Sequence, residues 1–333
     1  MEINEEKVLI AFNNKYKSNL SLDSTKIDML SCNILDKGLS ELCSFNFNPN
    51  VEKLILEDNI ISNLSPLTGI SFGRKLISLD LSSNKITSID VLSKVNFPLL
   101  NHLYLNGNSI SSISTINNFK FPNLIELNLS SNKISSIDSL AKANFPNLKE
   151  LLLSKNEISS IDILSEVNFN KIKILTLDNN KISSIECLSK IKFQKIREIR
   201  LEKNKIKNIN ILRKVTLPKL SYLSLGDDIL GDNLNELKEM NVPNLEDIFI
   251  YANDKIIKNK SIQNIVEFFE NKGVLFNFIK YDKNGNQILD RDINFMNNYD
   301  DDDDEDEEDM NNINIDKKKD DNFNDFLLKE GLL

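Results

Sequence analysis

Tryptophan is absent from this 333-residue chain, and histidine occurs once, at His102. Any Ser-His or Cys-His nucleophilic arrangement would have to pass through that single imidazole. Three cysteines, Cys32, Cys43 and Cys187, make an odd set without metal-ligand spacing. With no signal peptide or membrane span in the sequence, that points to a reducing, intracellular compartment. The nine glycines contain no phosphate-cradling loop. No apolar run approaches the ~18 residues of a membrane-spanning helix. The acidic opening, Met1-Glu2-Ile3-Asn4-Glu5-Glu6, does not read as a signal peptide. These gaps leave no metal site, no cofactor site, no membrane segment and no catalytic constellation, so a non-enzymatic role is expected.

Charge is unevenly spread. The formal net charge is −9, and the run from Asp300 to Asp309 supplies ten consecutive acidic residues, leaving the rest of the chain at +1. The acidity is therefore a property of one local segment. Such a run repels itself and cannot bury apolar surface, so residues 297–333 are expected to form an acidic, mostly disordered tail. Phe323, Phe326, Leu327, Leu328, Leu332 and Leu333 could fold there as a short terminal helix.

What the chain has in abundance is a repeated frame. Asparagine recurs at Asn59, Asn84, Asn108, Asn132, Asn156, Asn180, Asn204 and Asn253, with Asp228 filling the gap, at spacings of 24 or 25. A fixed period of this length is one supersecondary unit stacked on itself. In the unit that begins at Leu124, Leu127 and Leu129 alternate with Asn128, the period of a short strand. Asn132 follows, where the chain must turn. Its amide can satisfy backbone groups that would otherwise be buried unpaired between units. Ile134, Ile137 and Leu140 return to the core. Ser136 is read as an N-cap with Asp138 in the first turn, and the same pairing recurs at Ser88, Ser160 and Ser184. Phe47, Phe72, Phe97, Phe121, Phe145, Phe169 and Phe193 form a further column, continued by Leu217 and Val242.

The pattern LxxLxLxxNxI followed by IxxL resembles the leucine-rich repeat superfamily. The short Ile-x-x-Ile-x-x-Leu side is similar to the subclass named for the SDS22 phosphatase regulator, although the unit has 24 residues rather than that subclass's usual 22. The resemblance implies an α/β fold: a right-handed solenoid with a parallel concave β-sheet and short helical or 3-10 convex segments. It also raises a phosphatase-regulating subunit as one specific role. Repeats followed by an acidic run resemble a second group, the acidic leucine-rich nuclear phosphoproteins, which implies a chaperone for basic nuclear proteins such as histones.

Four regions follow. Residues 1–50 are expected to hold an N-terminal helical cap, with Val8, Leu9, Phe12 and Tyr16 on one face, and a degenerate first repeat from Leu30 to Phe47 with Asn33 in the asparagine slot. Residues 51–255 are the solenoid. Residues 256–296 are a C-terminal cap: a helix from Ser261 with Ile262, Ile265, Val266 and Phe269 on one face, then a strand and a hairpin at Asn284-Gly285. Residues 297–333 are the tail. Asp282 to Asn286 looks like the start of a calcium-binding loop, but Gln287 stands where glycine is needed and Ile293 where the closing glutamate is needed, so a hairpin turn is preferred.

The frame also separates core slots from free slots. One solvent-facing column runs Ile55, Asp80, Tyr104, Asn128, Leu152, Thr176, Arg200, Ser224 and Phe249. A second runs Lys53, Ser78, His102, Glu126, Glu150, Ile174, Glu198, Tyr222 and Asp247. No packing rule demands aromatic or cationic residues there. The candidate partner-binding residues are therefore His102, Tyr104, Asn128, Leu152, Thr176, Arg200, Tyr222, Phe249 and Tyr251. The mixed signs of these columns disfavour nucleic acid. A protein partner is expected on the concave face, with basic proteins a second possibility through Asp300 to Asp309, in the cytoplasm or the nucleus.

Overall fold

In a computed structural model of the chain, residues 5–226, 232–251, 260–281 and 287–289 are described. Asp228, Asn253, residues 282–286 and residues 290–333 lie outside them, which takes in the calcium-loop resemblance, the hairpin turn, the acidic run and the terminal apolar segment.

Each unit contributes one short strand: β1 Lys26–Asp28, β2 Lys53–Ile55, β3 Ser78–Asp80, β4 His102–Tyr104, β5 Glu126–Asn128, β6 Glu150–Leu152, β7 Ile174–Thr176, β8 Glu198–Arg200, β9 Tyr222–Leu225 and β10 Asp247–Tyr251. They pair in chain order and in parallel, and β11 Leu275–Tyr281 extends the sheet. β12 Gln287–Leu289 closes it antiparallel to β11. Equivalent slots face one another, as Tyr104 faces Asn128 and Leu152 faces Thr176. A period-two strand buried on one face gives this register, because a slip of one residue would turn every leucine out of the core.

The asparagine ladder is the polar half of the same frame. Asn132 donates to the carbonyls of Leu105, Leu129 and Ser130 at 2.9, 3.1 and 3.1 Å, and its Oδ1 accepts from Ile110 N at 2.9 Å. Asn59, Asn84, Asn108, Asn156, Asn180 and Asn204 repeat the arrangement, and all seven are buried. The residue before each is left-handed: Asp58, Ser83, Ser131, Lys155, Asn179 and Lys203 have φ between 52° and 55°, and Gly107 has φ 68°. A Cβ on Gly107 would come within 3.2–3.3 Å of Ser83. Glycine relieves that approach in the one unit that has it.

The convex side is built from short 3-10 segments such as Asp90–Ser93, Asp138–Lys142, Asp162–Ser165 and Glu186–Ser189. The serines expected as N-caps sit one residue too early. Ser136 Oγ accepts from Asp138 N at 3.2 Å, while the cap position is Ile137. The hydroxyl closes a local turn two residues long rather than capping a helix. Behind these segments the phenylalanine column is buried, with ring centroids 6.4 Å apart between Phe97 and Phe121 and 6.3 Å apart between Phe145 and Phe169. Gly73 makes room for it, since a Cβ there would lie 2.5 Å from the Phe97 ring.

Helix α1 (Glu5–Tyr16) buries Leu9 and Phe12 in the same hydrophobic cluster as the repeats. Val8 does not join them and is 44 % exposed. The following unit starts earlier than its sequence suggests. β1 pairs Ile27 with Leu54, so the asparagine slot falls on Cys32, not Asn33. Cys32 Sγ lies 3.4 Å from the Leu30 carbonyl, taking the place of one asparagine bond, and Ser31 before it is left-handed like its counterparts. The convex side of this unit is a true helix, α2 (Asp36–Cys43). At the far end α3 (Lys260–Glu270) buries Ile262, Ile265 and Phe269 against the last strands, with Val266 partly buried beside them.

Candidate functional site

The concave face is the surface made of the residues on either side of each strand centre. Parallel pairing stacks these residues into columns about 4.8 Å apart from strand to strand. Alternation holds through β2 to β6, where the centre is buried and both flanks are half-buried. It changes from β7 onward: Thr176 and Glu198 are buried, and Ser224 is fully so. Ser224 is small and lies between Arg200 and Phe249 in register, so its larger neighbours cover it.

Two groups of side chains stand out. In the first, His102 Nδ1 lies 3.1 Å from Glu126 Oε2, and the Tyr104 hydroxyl donates to the same oxygen at 2.7 Å. The His102 and Tyr104 rings stack with centroids 6.3 Å apart and 14° between planes. Burial and the Glu126 carboxylate push the Tyr104 phenol above its ordinary range. Glu150 stands beside Glu126 in the next strand. Burial, and then the charge of Glu126, push its carboxyl up to about 7, with His102 opposing. Among the described residues no group donates a hydrogen bond to Glu150.

The second group lies at β8 to β10. Arg200 Nε pairs with Glu198 Oε1, and the guanidinium sits 5.3 Å above the Tyr222 ring. Tyr222 stacks on Phe249 with centroids 5.1 Å apart. Phe249 corrects the expectation drawn from its slot. Its side chain is 1 % exposed, so it backs Tyr222 rather than meeting a partner. It is nevertheless not part of the hydrophobic core cluster. Thr176 is also buried, at 8 %. Asn128 and Leu152 lie half-buried between the two groups. Tyr251 ends β10, and its side chain lies outside the described residues.

Sequence reasoning missed a third inner column, two residues beyond the central one. It adds Ser82, Ser154, Asp178 and Glu202 to the face. Ser154 donates to Asp178, Ser224 donates to Glu202, and burial with the Asp178 charge raises the Glu202 carboxyl. The same 24-residue frame would have found it. No group of His, Cys, Asp and Glu able to hold a metal ion occurs among the described residues. Nor is any described helix long and apolar enough to cross a membrane.

Comparison with known proteins agrees with the fold. Residues 49–110 and 98–158 match a family model described as leucine rich repeat, and residues 146–190 match one described as leucine rich repeats in two copies. No curated protein sequence matches the chain. Among solved structures, an internalin of Listeria monocytogenes is similar at 20 % identity, covering 84 % of this chain and 89 % of its own, with a TM-score of 0.51. The leucine-rich-repeat protein FLRT2, solved in a complex with Latrophilin 3 and Unc5D, is similar at 18 % identity, over 80 % of this chain and 79 % of that one, with a TM-score of 0.54. A chain of the TLR13–ssRNA13 complex is similar at 20 % identity, over 78 % of this chain and 39 % of that one, with a TM-score of 0.61. With the asparagine ladder, the single parallel sheet and the 3-10 convex side, these matches identify residues 49–190 as leucine-rich repeats.

Proposed function

We propose that the chain is a non-enzymatic scaffold that binds a protein partner on its concave face, and that the partner presents a cationic side chain to Glu126 and Glu150. The observation that carries this reading is the state of Glu150. It is a half-buried carboxyl beside a second carboxylate, with no hydrogen-bond donor among the described residues. Glu126 is oriented by Tyr104 and His102, so the pair is held in place before any partner arrives. An incoming Lys or Arg would supply the missing charge. Tyr222, gripped between Arg200 and Phe249, offers a rigid aromatic anchor further along, a residue type enriched at interface hot spots. Asn128 and Leu152 lie between the two and complete the contact strip.

Nucleic acid fits this face less well. Its inner columns carry Glu57, Asp80, Glu126, Glu150, Asp178, Glu198, Glu202 and Asp247 against Lys53, His102 and Arg200. Phosphates would meet net negative charge. The RNA in the TLR13 complex belongs to that protein, and the shared fold alone does not bring it here. A phosphatase-regulating role is the specific form that the subclass resemblance favours. Three cysteines without disulfide partners suit a cytoplasmic or nuclear setting.

Affinity capture from cell extract with three full-length proteins tests the reading: wild type, Glu150→Lys with Arg200→Glu, and a variant with the acids of 300–309 changed to their amides. The concave variant is expected to lose the captured proteins at 0.15 M and 0.3 M salt alike, while the amide variant keeps them. The opposite pattern would mean that the acidic segment, as a chaperone for basic proteins, carries the function.

A further inference from the structure

Apolar side chains left in solvent gather at one end of the solenoid. Among the described residues seven large apolar side chains are exposed, and five of them, Val8, Ile10, Leu30, Leu35 and Ile60, belong to α1 and the first two units. Two of these depart from a repeat that is otherwise polar. The slot of Leu30 is polar in the next seven units, from Glu57 to Glu202. The slot of Leu35 holds serine or threonine in the next six, from Ser62 to Ser183. Leu35 is also the N-cap of α2, where it is 56 % exposed and makes no side-chain bond. Leucine is a poor residue there, since it offers nothing to the first N–H groups of the helix. Neither packing nor capping asks for it.

The same end carries an open strand edge. β1 is first in the sheet order, and among the described residues only β2 pairs with it. Met29 N and Ser31 N donate to Ile55 O and Glu57 O, and Lys53 N donates to Thr25 O. The backbone groups of Lys26 and Asp28, which lie between these, are therefore turned outward. The two side chains are half-exposed and pair with each other at 2.9 Å, and Asp28 Oδ1 also accepts from Leu30 N at 3.2 Å. A short, charged edge is guarded against most strands. It is not guarded against itself. Turned about a two-fold axis through Ile27, β1 sets Lys26 of one copy opposite Asp28 of the other, twice, with the outward backbone groups in phase to bond. The pair within each copy need not open, because the four charges alternate around the axis. A parallel approach in register would set like charges side by side.

We infer that this amino-terminal end is the interface of a two-fold homodimer, in which the two β1 strands pair antiparallel and join the two sheets. The apolar residues fall where such a dimer needs them. Helix α1 turns Leu9 and Phe12 toward the repeats and Ile10 away from them. It runs from Asn46, whose N donates to Glu5 Oε1 at 2.6 Å, to the first turn of α2, where a Cβ on Gly38 would lie 2.5 Å from the Tyr16 hydroxyl. The two-fold axis reverses that direction in the second copy. Val8 and Ile10 of one copy then approach the Leu35 side of the other. Their burial supplies the apolar centre that a three-residue strand pair lacks. The interface is separate from the concave site, so either reading can fail without the other.

Sedimentation equilibrium of the full-length protein tests this. Wild type should approach twice the monomer mass as its concentration rises through the micromolar range. Lys26→Asp and Asp28→Lys each set like charges across the axis, and either variant alone should associate about tenfold more weakly or worse. The two variants complement each other, so an equal mixture should restore the dimer, which misfolded chains could not do. Leu35→Ser should weaken the dimer severalfold. At concentrations where both proteins are monomers it should keep or raise the urea midpoint, because serine caps α2. A monomeric wild type would overturn the inference and leave the apolar end to another partner or to the chain's own terminal apolar segment. So would single variants that associate as tightly as wild type, or a mixture that associates no better than its components.

Discussion

The turn edge of the sheet and its concave face are built from the same repeat, yet they use polar residues in opposite ways. At the turn edge asparagine recurs in seven described units, and every one makes the same bonds to backbone groups. On the concave face no column keeps one residue type through the units. Glu126 has two partners, and Glu150, one strand away, has no donor among the described residues. Recurrence records what stacking requires. Departure from recurrence records what stacking leaves free, and it is there that Tyr104, Glu150, Arg200 and Tyr222 are found.

The comparison is sharpest where the ladder is broken. Asn132→Ala would remove three donated bonds and leave the buried Ile110 N–H without its acceptor. Each buried group left unpaired costs about 1–3 kcal/mol, so a loss of about 3–5 kcal/mol is expected in urea unfolding. Removing Asn128, four residues earlier and on the concave side, should cost far less, because its Oδ1 accepts only from Ser130 N at 3.0 Å. Equal losses would mean that the two edges do not differ in the way described.

How much of this was legible in the chain follows the same division. The strand register, the phenylalanine column and the asparagine bonds were readable because a fixed period forces each of them. Two readings failed where a single site departs from the period. Asn33 attracts the eye as an asparagine, yet the register of β1 gives the slot to Cys32, because the first unit is 27 residues long rather than 24 or 25. Phe249 occupies a free slot by alternation but is buried, with Tyr222 stacked on it, a diagonal contact that no period encodes. The rise of the Glu150 carboxyl to about 7 was equally hidden, since it depends on burial and on where its neighbours' charges come to rest.

Glu150 also gives the comparison a pH signature. Its folded pKa is raised above the unfolded value, so the native state binds more protons than the unfolded one between about 4.5 and 7. Stability is therefore present at low pH and is lost as pH rises through that window. Glu150→Gln should stabilise the protein by about 1–2 kcal/mol at pH 8 and have almost no effect at pH 5, as read from urea midpoints at both values. A partner's cation needs the ionised form, so binding should strengthen as pH rises from 6 to 8. A flat profile for both would remove Glu150 from the site. On the ladder side, Cys32→Asn restores the missing rung and should add about 1 kcal/mol at any pH.

The smallest effect concerns exposed side chains that directly follow the ladder residues Asn156 and Asn180. Lys181 Nζ lies 2.6 Å from Glu157 Oε2, and the two side chains are 50 % and 47 % exposed. The lysine holds the Glu157 carboxyl below its ordinary range. In full solvent that attraction is offset by screening and by the entropy of holding two long side chains still. Lys181→Ala should leave the urea midpoint and the capture of partners unchanged. The pair sits in the same repeat frame as Asn156 and Asn180 and is as well formed in distance as any ladder bond. A measurable loss on breaking it would show that short polar contacts on this scaffold matter irrespective of burial. The distinction between the buried ladder and the open face would then no longer predict which substitutions the protein tolerates.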